Sequence, residues 1–234
     1  MRSGDILLVT GLARHSKWIV RVQKPLYWRA KSSHVAVVYA ENTIIHSVGG
    51  SGVNMAEMIE ELDSCKADWR VMRLKGLTEH QEEELQKASV YFLRQGYNRA
   101  FMMGGNEVSS FCSEFAVKVY KRAGIRIING KKPSKVAPWD FDKAFDSGKD
   151  WSDVTSEYVS DLQEWQKMRG IIQMSMQLQK LQFARRQYFS QQRKQLFSYF
   201  EAQGSPHMKE VIAKTKADLR EKRVLSFWDE DDWR

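Results

Sequence analysis

Cysteine is scarce in this chain. Only Cys65 and Cys112 occur in 234 residues. Two thiols are too few for a disulfide scaffold; they permit one bridge without demanding it. There is no C-x-x-C pair, no zinc-finger spacing and no long block of consecutive Lys and Arg, which lowers the case for a nucleic-acid-binding module. Long apolar runs are also missing. The N-terminal stretch "MRSGDILLVTGLARHSK" holds only a short one, well below the ~7–15 residues of a signal-peptide core. Nothing approaches the ~18 apolar residues of a membrane-spanning helix. The expectation is therefore a protein without a transmembrane segment, made in the cytoplasm without a standard leader. If it acts elsewhere, a specialised secretion system must carry it. Proline is rare, and none lies between Val159 and Gln203, where Gly170 is the lone glycine.

What is present points to a folded, basic protein. Hydrophobic residues make up 42% of the chain and eight are tryptophan, which excludes a largely disordered polymer. The length suits one domain with an extension, or two small ones. The formal net charge of +8 favours an anionic partner such as a membrane headgroup or an acidic wall polymer, or is simply a basic surface.

Local patterns predict strands at Ile6–Val9, Val35–Tyr39, Thr43–His46 and Trp69–Leu74, with the middle two forming a hairpin at Glu41-Asn42. Helices are predicted at Ser16–Lys24 and Met55–Leu62. Another should run from a Thr78–Gln81 capping box to about Gln95, and one from about Phe111 to Ala123, capped by Ser109 or Ser110. Apolar residues at helical intervals predict a helical hairpin over Val159–Arg223, broken at Gly204-Ser205-Pro206. The closing "FWDEDDWR" reads as an irregular tail. The predicted division is a catalytic domain over 1–158 and a helical extension over 159–234.

Three residues could carry chemistry. Cys112, in "SSFCSEFAVKVYKRAGI", falls in the first turn of a helix, where free amides and the positive dipole end favour a thiolate and lower its pKa. Its own amide could help form an oxyanion hole. The plainer reading is a buried, inert thiol. His34 opens one strand and could serve as general base and acid for that thiol, or be a satisfied strand-end histidine. His46 closes the next strand and could fix the His34 tautomer, or be a hydrogen-bonded edge residue. Register bears on this pairing. A two-residue turn at Glu41-Asn42 puts the two histidines on opposite faces, and a three-residue loop puts them on the same face. Cys65 has no histidine pattern around it. Glu114 reads as structural, Asp5 as an anchor of the N-terminal turn, and His15, His80 and His207 as surface residues.

The stretch "SHVAVVYAENTIIHSVGGSGVNM" resembles the signature of NlpC-type papain-like cysteine peptidases, and "FCSEFAVKVYKRAGI" resembles their nucleophile helix. Here both histidines precede the cysteine. That order resembles the circularly permuted branch, which includes YiiX-like proteins and the lecithin-retinol acyltransferase relatives. "SGDILLV", "GYNRAF" and "KVAPWDFDKAF" followed by "WSDVTSEY" match the same branch, so the resemblance covers about residues 3–158. It implies an α+β, permuted papain-like fold, with a small antiparallel sheet packed on helices and the helical hairpin as an extension. It also implies Cys112 as nucleophile, His34 as base and acid, and His46 as the orienting residue; Tyr97 could line the cleft or donate a hydrogen bond there, or be a core tyrosine. YiiX-like members are expected to carry a glutamate near position 46; His46 instead resembles the NlpC and acyltransferase versions.

The expected reaction is acyl transfer through a thioester, with no metal or organic cofactor. The bond cut would be an amide in a peptidoglycan stem peptide or another peptide. The alternatives are an ester in a phospholipid, or no reaction at all in a binding module. An exported antibacterial effector, of the kind delivered by a type VI system, fits the family and the bare N-terminus. The C-terminal helices are expected to pack on the domain or dock a protein partner.

Overall fold

The structure, a computed structural model, describes residues 2–222 and 228–229, with His15 described by its backbone alone. It divides into two compact units, Met1–Met176 and Gln177–Arg234.

The first unit is built on a six-stranded antiparallel sheet. In chain order its strands are β1 (Ile6–Val9), β2 (His34–Ala40), β3 (Thr43–Val48), β4 (Gly52–Glu57), β5 (Arg70–Leu74) and β8 (Trp151–Asp153), arranged β4-β3-β2-β1-β5-β8. β1 lies inside the sheet with all four residues buried, which is why it reads as an unbroken apolar run rather than an alternating one. Its neighbours alternate in register. Leu7 opposes Ala36 and Val71, while Ile6 opposes Val37 and Met72. The Leu7 face buries Val9, Val38 and Ile44 against Met58, Ile59, Tyr158 and Trp165. Full burial of one such aliphatic side chain contributes roughly 1.5–3 kcal/mol.

Six helices begin in this unit. They are α1 (Arg14–Gln23), α2 (Met58–Asp63), α3 (Glu79–Tyr91), α4 (Cys112–Arg122), α5 (Pro138–Ser147) and the start of α6 (Thr155–Gln203). α4 packs on β2 and β3 with α3 beside it. Phe115, Ala116, Val119 and Tyr120 of α4 are wholly buried. The capping box forms as expected, with the Gln81 amide donating to Thr78 Oγ1 and the Thr78 amide to Gln81 Oε1.

Three expectations are corrected. Gly52–Glu57 is a strand, not a loose segment running into a helix from Met55. The helical spacing of Met55, Met58 and Ile59 bridges the junction of β4 and α2. Gly52 has a φ of +70°, and a Cβ there would lie 2.0 Å from the Gln95 carbonyl oxygen, so only glycine opens this strand. α3 ends at Tyr91 rather than Gln95, because Phe92 and Leu93 turn into the core. Gly96–Tyr97 (β6) then pairs in parallel with Ser109–Ser110 (β7), so neither serine caps α4. Phe111 stands at the cap position instead, with its amide donating to Glu114 Oε2.

The second unit holds the rest of α6, then α7 (Pro206–Glu221). Ser205 Oγ accepts from the Met208 amide at the start of α7, with Pro206 at its first position. Lys216 of α7 pairs with Glu201 of α6 at 2.5 Å and sits 5.3 Å above the Phe197 ring. The two helices thus fold back on one another as a hairpin. Asp229 accepts from Ser190 and Arg193. Of the sequence expected as an irregular tail, only Trp228 and Asp229 are described, in a turn. The rest of it, with Arg223, lies outside the described residues.

Candidate active site

The histidine pair depends on one extra residue. The turn between β2 and β3 is the two-residue Glu41-Asn42, with Asn42 at a φ of 49°. Such a turn on its own puts His34 and His46 on opposite faces. The pairing, however, shifts between Val38 and Ala40: Ala40 opposes Thr43, but Val38 opposes Ile44 and Val37 opposes Ile45. Tyr39 is the additional residue, a β-bulge that turns the rest of β2 over. The two rings meet, with His34 Nε2 3.1 Å from His46 Nδ1, ring centroids 5.1 Å apart and planes at 73°.

The approach to His34 is clamped. Asp142 of α5 accepts from the Lys31 amide at 2.8 Å, the Ser32 amide at 2.9 Å and Ser32 Oγ at 2.6 Å, and it pairs with Arg70. Ser33 Oγ accepts from the Gly11 amide. Asp142 lies in the "WDFDKAF" stretch, which was read only as part of the resemblance, without a role. Its place in the middle of a short acidic helix gives no local signal for a contact so distant in sequence.

Cys112 is the first residue of α4 and is buried. Its sulfur faces the amide of Val35, the residue after His34, together with the amides of Cys112 and Ser113. The structure therefore brings Cys112 to the His34 end of β2. Tyr97, half-buried on β6, is close enough to feel charge on that sulfur. Burial, and then the nearby sulfur, push its hydroxyl up to about 12, so it stays a donor at neutral pH. Glu114 is fully buried and holds the loop before α4: its Oε2 accepts from Asn98 Nδ2 at 2.9 Å, and it pairs with Lys118 at 3.1 Å.

The electrostatics overturn one expectation. The helix start was expected to lower the thiol pKa. Burial instead pushes Cys112 up to about 11, outweighing the amides of Val35, Ser113 and Cys112. Burial, and then the His46 ring, push His34 down to about 3. At neutral pH the pair is thus thiol and neutral imidazole, not thiolate and imidazolium. Both cysteines are free. Cys65 is pushed up to about 11 by burial and then by Glu61, which makes it a poor nucleophile.

Glu61 of α2 escaped the sequence reading. Its Oε2 lies 3.7 Å from His46 Nδ1. Burial raises its pKa, with Cys65 pulling the other way. It sits in "MIEELDSC", where nothing local distinguishes it from an exposed helix carboxylate. The ligand atoms of His34, His46 and Glu61 all lie within 4.8 Å of one another, and two imidazoles with a carboxylate are donors that suit a zinc-like ion. An ion there would replace the hydrogen bond between the two rings.

A cysteine at the start of a helix that packs on the strands carrying a histidine pair, with the histidines first in the chain, is the arrangement of a papain-like cysteine hydrolase of permuted order. The chain belongs to the permuted papain-like amidase family, YaeF/YiiX, C92, whose model matches residues 1–169. It is accordingly an enzyme, with a cysteine amidase or peptidase activity and a peptide-type substrate. It is also similar to a solved structure, the metalloprotein yiiX from Escherichia coli O157:H7, at 21% identity and a TM-score of 0.49, over 65% of this chain and 96% of that one. No curated protein matches it.

Proposed function

We propose that this protein hydrolyses an amide bond of a peptidoglycan stem peptide through a thioester on Cys112. The observation that carries the reading is the Cys112 sulfur lying against the backbone of Val35 while the adjacent His34 is hydrogen-bonded to His46. His34 holds its proton on Nε2 and donates it to His46 Nδ1. Its Nδ1 is then bare and takes the thiol proton as sulfur attacks the carbonyl. The two pKa directions mean that this proton moves during attack rather than before it. The oxyanion forms against the Cys112 amide and the Tyr97 hydroxyl. His34 then protonates the leaving amine, and water releases the acyl group. A basic chain, at +8, suits an acidic wall polymer.

The test incubates the wild type and Cys112→Ala with purified peptidoglycan and, separately, with mixed phospholipids, and follows both by mass spectrometry. The expected result is new amino termini from the wall polymer, a transient acyl adduct on Cys112, and a loss of at least about 1000-fold in the variant. Fatty acid release with no wall cleavage would make the enzyme a lipid esterase. No product of either kind, with ordinary slow alkylation of Cys112, would make it a binding module.

A further inference from the structure

α1 is built inside out. Its inward face carries Ser16 and Gln23, only 7% and 5% exposed, while Trp18 on the outward face is 65% exposed. Gln23 is the anchor. Its Nε2 donates to the Ser32 carbonyl at 3.1 Å, and its Oε1 accepts from the Trp139 amide at 2.9 Å. The following turn is held in the same way, with Tyr27 Oη donating to Asp146 at 2.6 Å and Ala30 buried. Polar contacts therefore fix this segment to the domain, with Ile19 and Val20 half-buried, and leave most of its large apolar side chains outside. Leu12, Val22 and Leu26 are more than half exposed, and Trp28 is 76% exposed. Lone exposed apolar residues need no explanation, but a run of five within one short segment does.

The charge along this run is of one sign. Between Asp5 and Glu41 the chain carries Arg14, Lys17, Arg21, Lys24, Arg29 and Lys31 and not one carboxylate. Of the carboxylates near it, Asp142 and Asp146 are engaged by Arg70, Tyr27 and backbone amides, and Asp63, next to the Ser64 carbonyl that accepts from the Leu12 amide, pairs with Arg169. Exposed tryptophans set among cations on a firmly held helix match the interfacial zone of an anionic bilayer, where indole rings settle at headgroup level and Lys and Arg meet the phosphates. No described helix is long and apolar enough to cross a membrane.

We propose that α1 and the turn after it, Leu12 to Trp28, form a peripheral docking surface for anionic phospholipid bilayers. The protein lies on the surface without spanning it, and Trp18 and Trp28 enter the headgroup layer. The chain runs from Trp28 through the Asp142-clamped segment directly into His34, so docking ties the catalytic strand to the membrane surface.

Co-sedimentation of the full chain with vesicles tests this. Phosphatidylcholine vesicles are compared with vesicles that also contain phosphatidylglycerol, at low and at high salt. Wild type should bind the anionic vesicles and leave the neutral ones largely free, and salt should weaken binding. Trp18→Ala with Trp28→Ala should weaken binding by about tenfold or more, as should Lys17→Glu with Arg21→Glu. Brominated lipid should quench wild-type fluorescence and the double tryptophan variant much less. These side chains are exposed, so unfolding curves should match wild type and separate lost docking from lost folding. No binding to either vesicle, equal binding to both, or undiminished binding by both variants would overturn the proposal, and the first would point to a protein partner for this face. None of these outcomes depends on the amidase reaction.

Discussion

Two of the buried polar clusters of the first unit, both on its sheet, are built to opposite ends. At the start of β1, Asp5 is 1% exposed. It accepts from Arg73 Nε at 2.9 Å, Arg73 Nη2 at 2.8 Å and Tyr158 Oη at 2.5 Å. Charge meets charge in a planar fork, and a hydroxyl fills a further lone pair. At the start of β2, His34 meets the His46 ring of β3, and among the described residues no cation or anion is in hydrogen-bond contact with His34. The first cluster is saturated and can only hold the strands and α6 together. The second leaves the other His34 ring nitrogen uncommitted among the described residues, and that spare capacity is what a reaction uses. Burial serves both, as cement in one and as a means of moving pKa values in the other.

Breaking the saturated cluster should give the largest effect on stability. Asp5→Ala leaves Arg73 and Tyr158 facing a void. It should cost about 3–5 kcal/mol, read from urea unfolding, while the surviving folded fraction keeps its turnover. His46→Ala should do the reverse. It should lower kcat by about 100-fold with KM little changed and a smaller loss of stability, and His46→Asn should recover part of the rate by accepting from His34 Nε2. A further test is in pH. His34 binds its proton at about 3 in the folded protein against an ordinary 6.5, so between those values the unfolded chain takes up a proton that the native state refuses. Stability should therefore fall as pH drops from about 6.5 towards about 3, and this part of the slope should vanish in His34→Asn. In the same comparison, kcat/KM should stay flat through neutral pH, because neither His34 nor Cys112, at about 11, titrates there.

Much of this was readable in advance wherever the signal is local. β1, the β2–β3 hairpin and the Thr78 box follow from apolar runs, a turn pair and a spacing of three. Cys112, His34 and His46 stood out by residue type and chain order. Non-local features were not readable. β4 was hidden because its glycine answers to the Gln95 carbonyl, which is remote in sequence. Asp142 and Glu61 look like ordinary helix carboxylates until folding sets one under Ser32 and the other beside His46. The sign of the Cys112 shift was misjudged for a related reason. A helix start is visible in sequence, but the depth of burial that outweighs it is not.

The bulge at Tyr39 also limits how this protein can vary. An extended chain sends successive side chains to alternate sides, so the meeting of the two imidazoles depends on whether the paired stretch holds an odd or an even number of residues. Gaining or losing one residue within those strands would carry a ring through to the wrong side, at a point far from the nucleophile. Gaining or losing two would leave the chemistry intact. Length changes in this hairpin can therefore persist only in even steps.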